Sequence, residues 1–354
     1  MATGTGIRTT SRLAAPSGED RLLDWLRRRS PAAATDLLGD DAALLAEDLA
    51  VTVDHQIEGV HFARGLDPAW VGSRLLAVSL SDLAAVGALP RYAFLALASP
   101  PEADRRRLFD GLLRACRRYG VALAGGDLAT STTLHLSLTL VGSRPPRARW
   151  LRRDRARPGD RLWVGGDLGG SAAGQLLLAT GGTVAHRRFR LPPGWRAAKE
   201  VNTAARLAMR RHLSPQPQLE LGQWLGRRRR AAALDISDGL ALDLARLCRA
   251  SGVGAVLRPA TIPHSPGLAA LSCRLERSID DLVLHGGEDY VLLFTLPPRL
   301  RPPSQFDCQV IGEIQAGRTL LREDGGRLSP LLVRGWDHLR GGGRRTPNPT
   351  GDQG

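Results

Sequence analysis

The sequence of 354 residues predicts an α/β fold in two domains, and three observations carry that prediction. Apolar segments of strand length alternate with longer helical segments, and acidic residues sit beside glycine or serine where those segments end. An aperiodic Arg/Pro-rich stretch, Ser143 to Asp160, divides the alternation into two halves. With 43% hydrophobic and 24% charged residues, the chain can bury a core in each half.

In the first half the pattern predicts a helix from Glu19 to Arg29, a Gly-Asp-Asp loop, a strand from Leu49 to Asp54 and a long helix from Pro68 to Val86. A strand from Tyr92 to Ala98 follows, then a helix from Glu102 to Tyr119 and two strands, around Gly125-Gly126-Asp127 and from Leu134 to Val141. In the second half, strands are expected at Arg161–Val164, Ala231–Ile236, Ala255–Leu257 and Val291–Leu296, with Gln309–Gly312 ending the sheet. Helices are expected from Ser171 to Leu178 and from Asp238 to Ala250. These patterns give a domain over 19–145 and another over 146–340, with polar, Gly/Pro-rich ends at 1–18 and 341–354 expected to be disordered.

The net charge of +14 raises nucleic-acid binding as a possibility, but the charge is almost wholly arginine and is spread along the chain without aromatic interleaving. No nucleic-acid partner is expected. Arg227 to Arg230 reads as a solvated helix end. The chain has no apolar run of membrane-spanning length and its opening lacks the core of a secretory signal, so a cytoplasmic location without a membrane partner is expected. Cys116, Cys248, Cys273 and Cys308 lie far apart and predict neither zinc nor disulfides.

The chemistry resides in five acidic segments: Gly39-Asp40-Asp41, Thr52-Val53-Asp54, Ser81-Asp82, Gly125-Gly126-Asp127 and Asp235-Ile236-Ser237-Asp238-Gly239. Carboxylates are hard oxygen ligands, and several converging can hold Mg²⁺ against nucleotide phosphates while glycines let backbone N–H groups approach. Each segment alone is also ordinary turn chemistry, and Asp238 also fits a helix N-cap. Asp82 stands in a helix whose apolar positions nearly surround it, so it must be paired or metal-bound. Gly125-Gly126-Asp127 is expected at a strand end, where open α/β sheets place ligands. The glycines from Gly165 to Gly170 match neither a Walker A loop nor a dinucleotide fingerprint.

The ordered set GDDAALL, TVDHQIEGVHF, AVSLSDLAAVGA, GGD, DISDGL, GGEDY and GWDHL, from Gly39 to Leu339, resembles the thiamine-monophosphate kinase family. That family belongs to the superfamily of aminoimidazole ribonucleotide synthetase and selenophosphate synthetase. The resemblance implies a two-domain aminoimidazole ribonucleotide synthetase-like architecture, with a mixed-sheet N-terminal domain forming a dimer barrel and a C-terminal α/β domain completing the site. It implies Mg²⁺- and ATP-dependent phosphorylation of thiamine monophosphate to thiamine diphosphate, without a general base. Asp41, Thr52, Val53, Asp54, Asp82, Asp127, Asp235 and Asp238 would surround Mg²⁺. Gly126, Asp127, Arg153 and Ser237 would contact ATP, and His61, Glu288 and Trp336 the thiamine monophosphate.

The sequence departs from the family pattern at Val53, His55 and Leu128, where threonine is usual, and at Ser79, where asparagine is usual. Any metal contact at Val53 would use its carbonyl. Another phosphotransferase of the superfamily and a degenerate nucleotide-binding paralogue are the alternatives. Selenophosphate synthesis is disfavoured because the first cysteine is Cys116.

Overall fold

The computed structural model describes residues 16–31, 38–45, 48–185, 188–337 and 339; most of the predicted disordered ends and the site of His338 lie outside them. The first half comprises α1 (Gly18–Arg27), β1 (Ala43–Leu45), β2 (Leu49–Ile57), α2 (Pro68–Ala85), β3 (Leu89–Ser99), α3 (Arg105–Tyr119), β4 (Ala122–Thr130) and β5 (His135–Ser143). Its five strands form a mixed sheet in the order β1-β2-β5-β3-β4, in which only β3 and β4 run parallel.

Local chemistry sets the helix bounds. Asp67 caps α2 through the Ala69 N–H, with Pro68 in the first turn, and Asp104 caps α3 through the Arg107 N–H. Gly120, at φ 67°, ends α3 in the left-handed region. The predicted disorder to residue 18 stops short of Ser17, which closes a capping box with Asp20.

The second half comprises β6 (Arg161–Gly165), α4 (Gly170–Ala179), β7 (Thr183–Ala185), β8 (Arg188–Arg190), α5 (Lys199–Leu213), α6 (Leu219–Gly226), β9 (Ala232–Asp235), α7 (Leu240–Ser251) and β10 (Gly254–Leu257). It continues through α8 (Leu268–Arg274), α9 (Ile279–Leu284), β11 (Leu292–Leu296), β12 (Cys308–Gln315), β13 (Leu320–Asp324) and β14 (Arg327–Pro330). Seven strands form its sheet, β14-β13-β10-β12-β6-β11-β9, so β12 does not end it; β13 joins β10 in parallel and brings β14 with it.

Each sheet has its own core, and a third cluster lies between them, where Ala84 and Ala85 of α2 meet Leu221, Leu225, Trp163 and Phe294. A Cβ on Gly222 would stand 2.0 Å from the Ala84 carbonyl, which shows how closely α6 approaches α2. The seam leaves α2 buried on nearly every side, including Arg74, Ser79 and Ser81. Among the described residues no helix is long and apolar enough to cross a membrane. Cys116 and Cys248 are buried small hydrophobes in α3 and α7.

Candidate active site

Carboxylates from both halves meet at this seam. Asp41 comes from the loop before β1, Asp82 from α2 and Asp235 from the end of β9, each with a ligand oxygen within 4.8 Å of the others. Thr52 and Asp54 alternate with Val53 along β2 and share the face turned to α2, where the Thr52 hydroxyl donates to Asp82 Oδ2 at 2.5 Å. One oxygen of Asp54 and one of Asp235 are buried without a hydrogen-bond partner. Burial, followed by the charges of Asp54, Asp235 and Asp41, holds the Asp82 carboxyl well above its usual value. Burial and then Asp41 do the same to Asp235, and burial alone raises Asp54. Burial outweighs Arg153 in raising Asp41.

Packed carboxylates that resist ionisation, with orphaned oxygens among them, form an arrangement that a bound cation would stabilise. The donors are all hard oxygens, so the set fits Mg²⁺.

Arg153 lies on the connector between the halves. Its guanidinium donates to Asp41 Oδ1 at 2.7 Å, its N–H to Asp40 Oδ1 at 2.9 Å, and its carbonyl accepts the Ser251 hydroxyl at 2.7 Å. It is thus joined to the acidic cluster through Asp41. Asp238 is neither the N-cap, which is Gly239, nor within the triad: its carboxylate accepts from Arg246 at 2.6 Å. Asp243 accepts the Asp238 and Gly239 N–H groups at 3.1 Å each, and burial raises its carboxyl to about 7.

The structure separates Gly126, Asp127 and the Val53 side chain from the cluster. Gly125-Gly126-Asp127 lies within β4 rather than at its end, because a bulge at Ala93/Phe94 and the φ of 152° at Gly126 let the strand continue beside β3. Asp127 aligns with Ala96, Ser137 and His55 on the sheet face opposite Asp54, three strands from β2 or about 14 Å.

Of the residues expected to meet the substrate, His61 accepts the Ile57 N–H at its ring at 3.0 Å and lines a cavity of about 80 Å³ with His212, Phe62 and Val184. The Trp336 backbone N–H donates to the Asp238 carbonyl at 3.0 Å, and the Ser237 carbonyl accepts the Glu288 backbone N–H at 2.7 Å. Glu288 is only 2% exposed, with its carboxylate facing Arg74 and His212. A larger cavity of about 730 Å³, between α2, α3 and α5, contains none of the predicted residues.

Arg74, His212, Asp243 and Arg246 also belong to the networks around these residues, though no local sequence motif marks them. Arg74 was still legible as the one cation inside the apolar helix it shares with Asp82. The glycine run before α4 is held internally, by Asp289 accepting the Gly169 and Ser171 N–H groups at 3.0 and 3.3 Å.

Residues 39–143 match the family "AIR synthase related protein, N-terminal domain". A thiamine-monophosphate kinase of Aquifex aeolicus (strain VF5) is 32% identical, covering 91% of this chain and 98% of the relative. The thiamine-monophosphate kinase of Escherichia coli (strain K12) is 38% identical, covering 85% and 91%. The solved structure of AaThiL complexed with AMPPCP and TMP superposes with a TM-score of 0.78 at 29% identity, covering 91% of this chain and 97% of that one. With the mixed sheets and the acidic seam already in place, these likenesses show that the chain belongs to the thiamine-monophosphate kinase family.

Proposed function

We propose that this chain transfers the γ-phosphoryl group of ATP to thiamine monophosphate, giving thiamine diphosphate and ADP. The observation that carries the reading is the convergence of Asp41, Asp82 and Asp235 from both halves of a chain of this family. Asp41, Asp54, Asp82 and Asp235 would hold Mg²⁺, with Thr52 orienting Asp82 and with contributions from Asp238 and the Val53 carbonyl. When bound, Mg²⁺ screens the crowded phosphate oxygens and aligns them for in-line displacement.

The nucleophile is a phosphate oxygen of thiamine monophosphate, already anionic, so no protein group has to remove a proton. It forms a bond to the γ-phosphorus as the bond to the β-bridging oxygen breaks, and that electron pair leaves on ADP. Arg153 offsets charge on the ATP phosphates, and Ser237 lies beside them. His61, Glu288 and Trp336 form the acceptor side, Trp336 offering a ring face to the thiazolium cation. We take 19–145 as the ATP/Mg domain and 146–340 as the domain completing the site, in a cytoplasmic enzyme. Incubation with Mg²⁺-ATP is expected to convert thiamine monophosphate to thiamine diphosphate and to leave thiamine unphosphorylated; chromatographic failure to find the diphosphate would end this reading.

A homodimer through the first sheet accounts for its uncovered face. Val53, Tyr92 and Phe94 are 63%, 52% and 40% exposed on the face away from α2, an apolar surface unusual for a monomer. Asp127 shares that face, so the dimer contact, and not this chain's own cluster, is where it would act. Sedimentation is expected to give twice the chain mass for the wild type and the single mass for Phe94→Arg; a wild-type monomer contradicts the dimer.

A further inference from the structure

We propose that Arg74 and His212 are positioning residues that hold Glu288, and the turn that carries it, in the geometry the acceptor side of the site requires. The proposal rests on the reading of Glu288 as an acceptor-side residue. It assigns work to two side chains that touch neither phosphate nor metal in that reading.

All three side chains are buried: Arg74 is 1% exposed, Glu288 2% and His212 3%. Arg74 Nη2 stands 3.1 Å from Glu288 Oε1, and His212 Nδ1 stands 3.2 Å from Glu288 Oε2. The Arg74 Nη1 group donates to the His212 carbonyl, which binds the two clamp members to each other, and the guanidinium lies 5.7 Å from the Tyr290 ring centre. Ser171 Oγ lies 3.3 Å from His212 Nδ1.

The backbone supplies an independent observation. Glu288 and Tyr290 have φ of 58° and 51°, left-handed values that residues with a Cβ seldom adopt. Such conformations persist only where the surroundings over-determine them, and they cluster at functional sites. Here the Glu288 N–H is fixed to the Ser237 carbonyl at 2.7 Å and the Tyr290 N–H to Ile236 at 2.9 Å. Gly287, at φ 71°, brings the turn so close that a Cβ there would stand 2.6 Å from the Ser237 carbonyl. The strained turn is therefore pressed against the segment bearing Asp235 and Asp238, while its Glu288 carboxylate meets Arg74 and His212.

Stability alone accounts poorly for a buried ion pair, since an apolar trio of similar volume serves as well; fixed geometry accounts for it better. The placement also matters. Arg74 and Asp82 share α2 about two turns apart, so one rigid helix carries both the clamp and a carboxylate of the acidic triad. His212 borders the small cavity that His61 also lines, which puts the clamp on the acceptor side.

Arg74→Met, Arg74→Lys and His212→Gln test the clamp through steady-state kinetics and amide hydrogen exchange at residues 286–290. Arg74→Met is expected to raise the KM for thiamine monophosphate by about ten-fold or more, with the KM for ATP nearly unchanged. Exchange at the Glu288 and Tyr290 amides should quicken in Arg74→Met, and Arg74→Lys should recover most of both effects. A fall in kcat with both KM values unchanged, or unaltered exchange at those amides in folded Arg74→Met, would overturn the proposal. If Arg74→Met does not fold, His212→Gln carries the same two measurements. A wild type that never forms thiamine diphosphate would remove the acceptor-side reading of Glu288, while the exchange experiment would still decide whether the clamp holds the turn.

Discussion

Asp235→Asn is expected to lower kcat by roughly 10²–10³-fold and, in the same protein, to raise the melting temperature in the absence of Mg²⁺. The two effects have one cause. Asp235 is buried beside Asp41, which pushes its carboxyl well above the ordinary value of 3.8, so its charge opposes folding until a cation offsets it. Asparagine keeps the shape and removes the charge. For an acid whose folded pKa is raised, the folded state binds more protons than the unfolded chain. Stability therefore falls as pH rises from about 4 through the raised value.

Metal-free wild type should consequently lose stability with rising pH from these groups, and added Mg²⁺ should restore it by mass action on the folded state. Asp235→Asn should show a shallower pH slope and a smaller Mg²⁺ response. Scanning calorimetry across pH, with and without Mg²⁺, reads all of this. Full activity in Asp235→Asn, or a wild-type melting temperature indifferent to both pH and Mg²⁺, would be the contrary result.

The second large effect is expected at Arg246→Met, a loss of about 3–5 kcal/mol of stability by denaturant unfolding. Arg246 faces Asp238 at 2.6 Å, Asp243 at 3.0 Å, Glu19 at 3.2 Å and Asp20 at 3.5 Å, and so ties α1 to the start of α7. Asp243 is 1% exposed and accepts two backbone N–H groups, so it has nowhere to turn once the cation is gone. Adding Asp243→Asn to Arg246→Met should recover part of the loss, which a double-mutant cycle measures. A loss below about 1 kcal/mol, typical of exposed pairs, would show that Arg246 is not the centre of this network.

Much of the site could be read in the sequence because its residues lie in compact segments with strong local signals. Asp82 in an apolar helix had to be paired, and the structure turns it toward Thr52, Asp41 and Asp235. Asp41, which the resemblance assigns to Mg²⁺, and Arg153, which it assigns to ATP, lie 2.7 Å apart. What could not be read depends on long-range register. The face occupied by Asp127 follows from how β4 aligns with β3 after a bulge, and a single inserted residue exchanges the two faces of a strand. The contacts of Arg246 with Glu19, 227 residues away in the chain, and with Asp20 depend on α1 and α7 meeting, and short-range patterns carry no such information.

The region between Leu178 and Ala231 shows a different limit. Val201, Ala204, Ala205, Ala208 and Met209 follow the period of α5, but small alanines beside arginines give that period little contrast. β13 and β14 are short, half-exposed strands whose place depends on the parallel pairing with β10. Arg74 and His212 lie far apart in the chain and become partners only when α2 and α5 pack beside the Glu288 turn.

The acidic seam is read here as the place of direct phosphoryl transfer between two phosphates. Its most direct test follows the label from ATP carrying ³²P at the γ position, in a single turnover with Mg²⁺ and thiamine monophosphate. Label is expected in thiamine diphosphate for the wild type and almost none for Asp235→Asn. Label that passes to inorganic phosphate, or stays in ATP while the wild type binds both substrates, would contradict it.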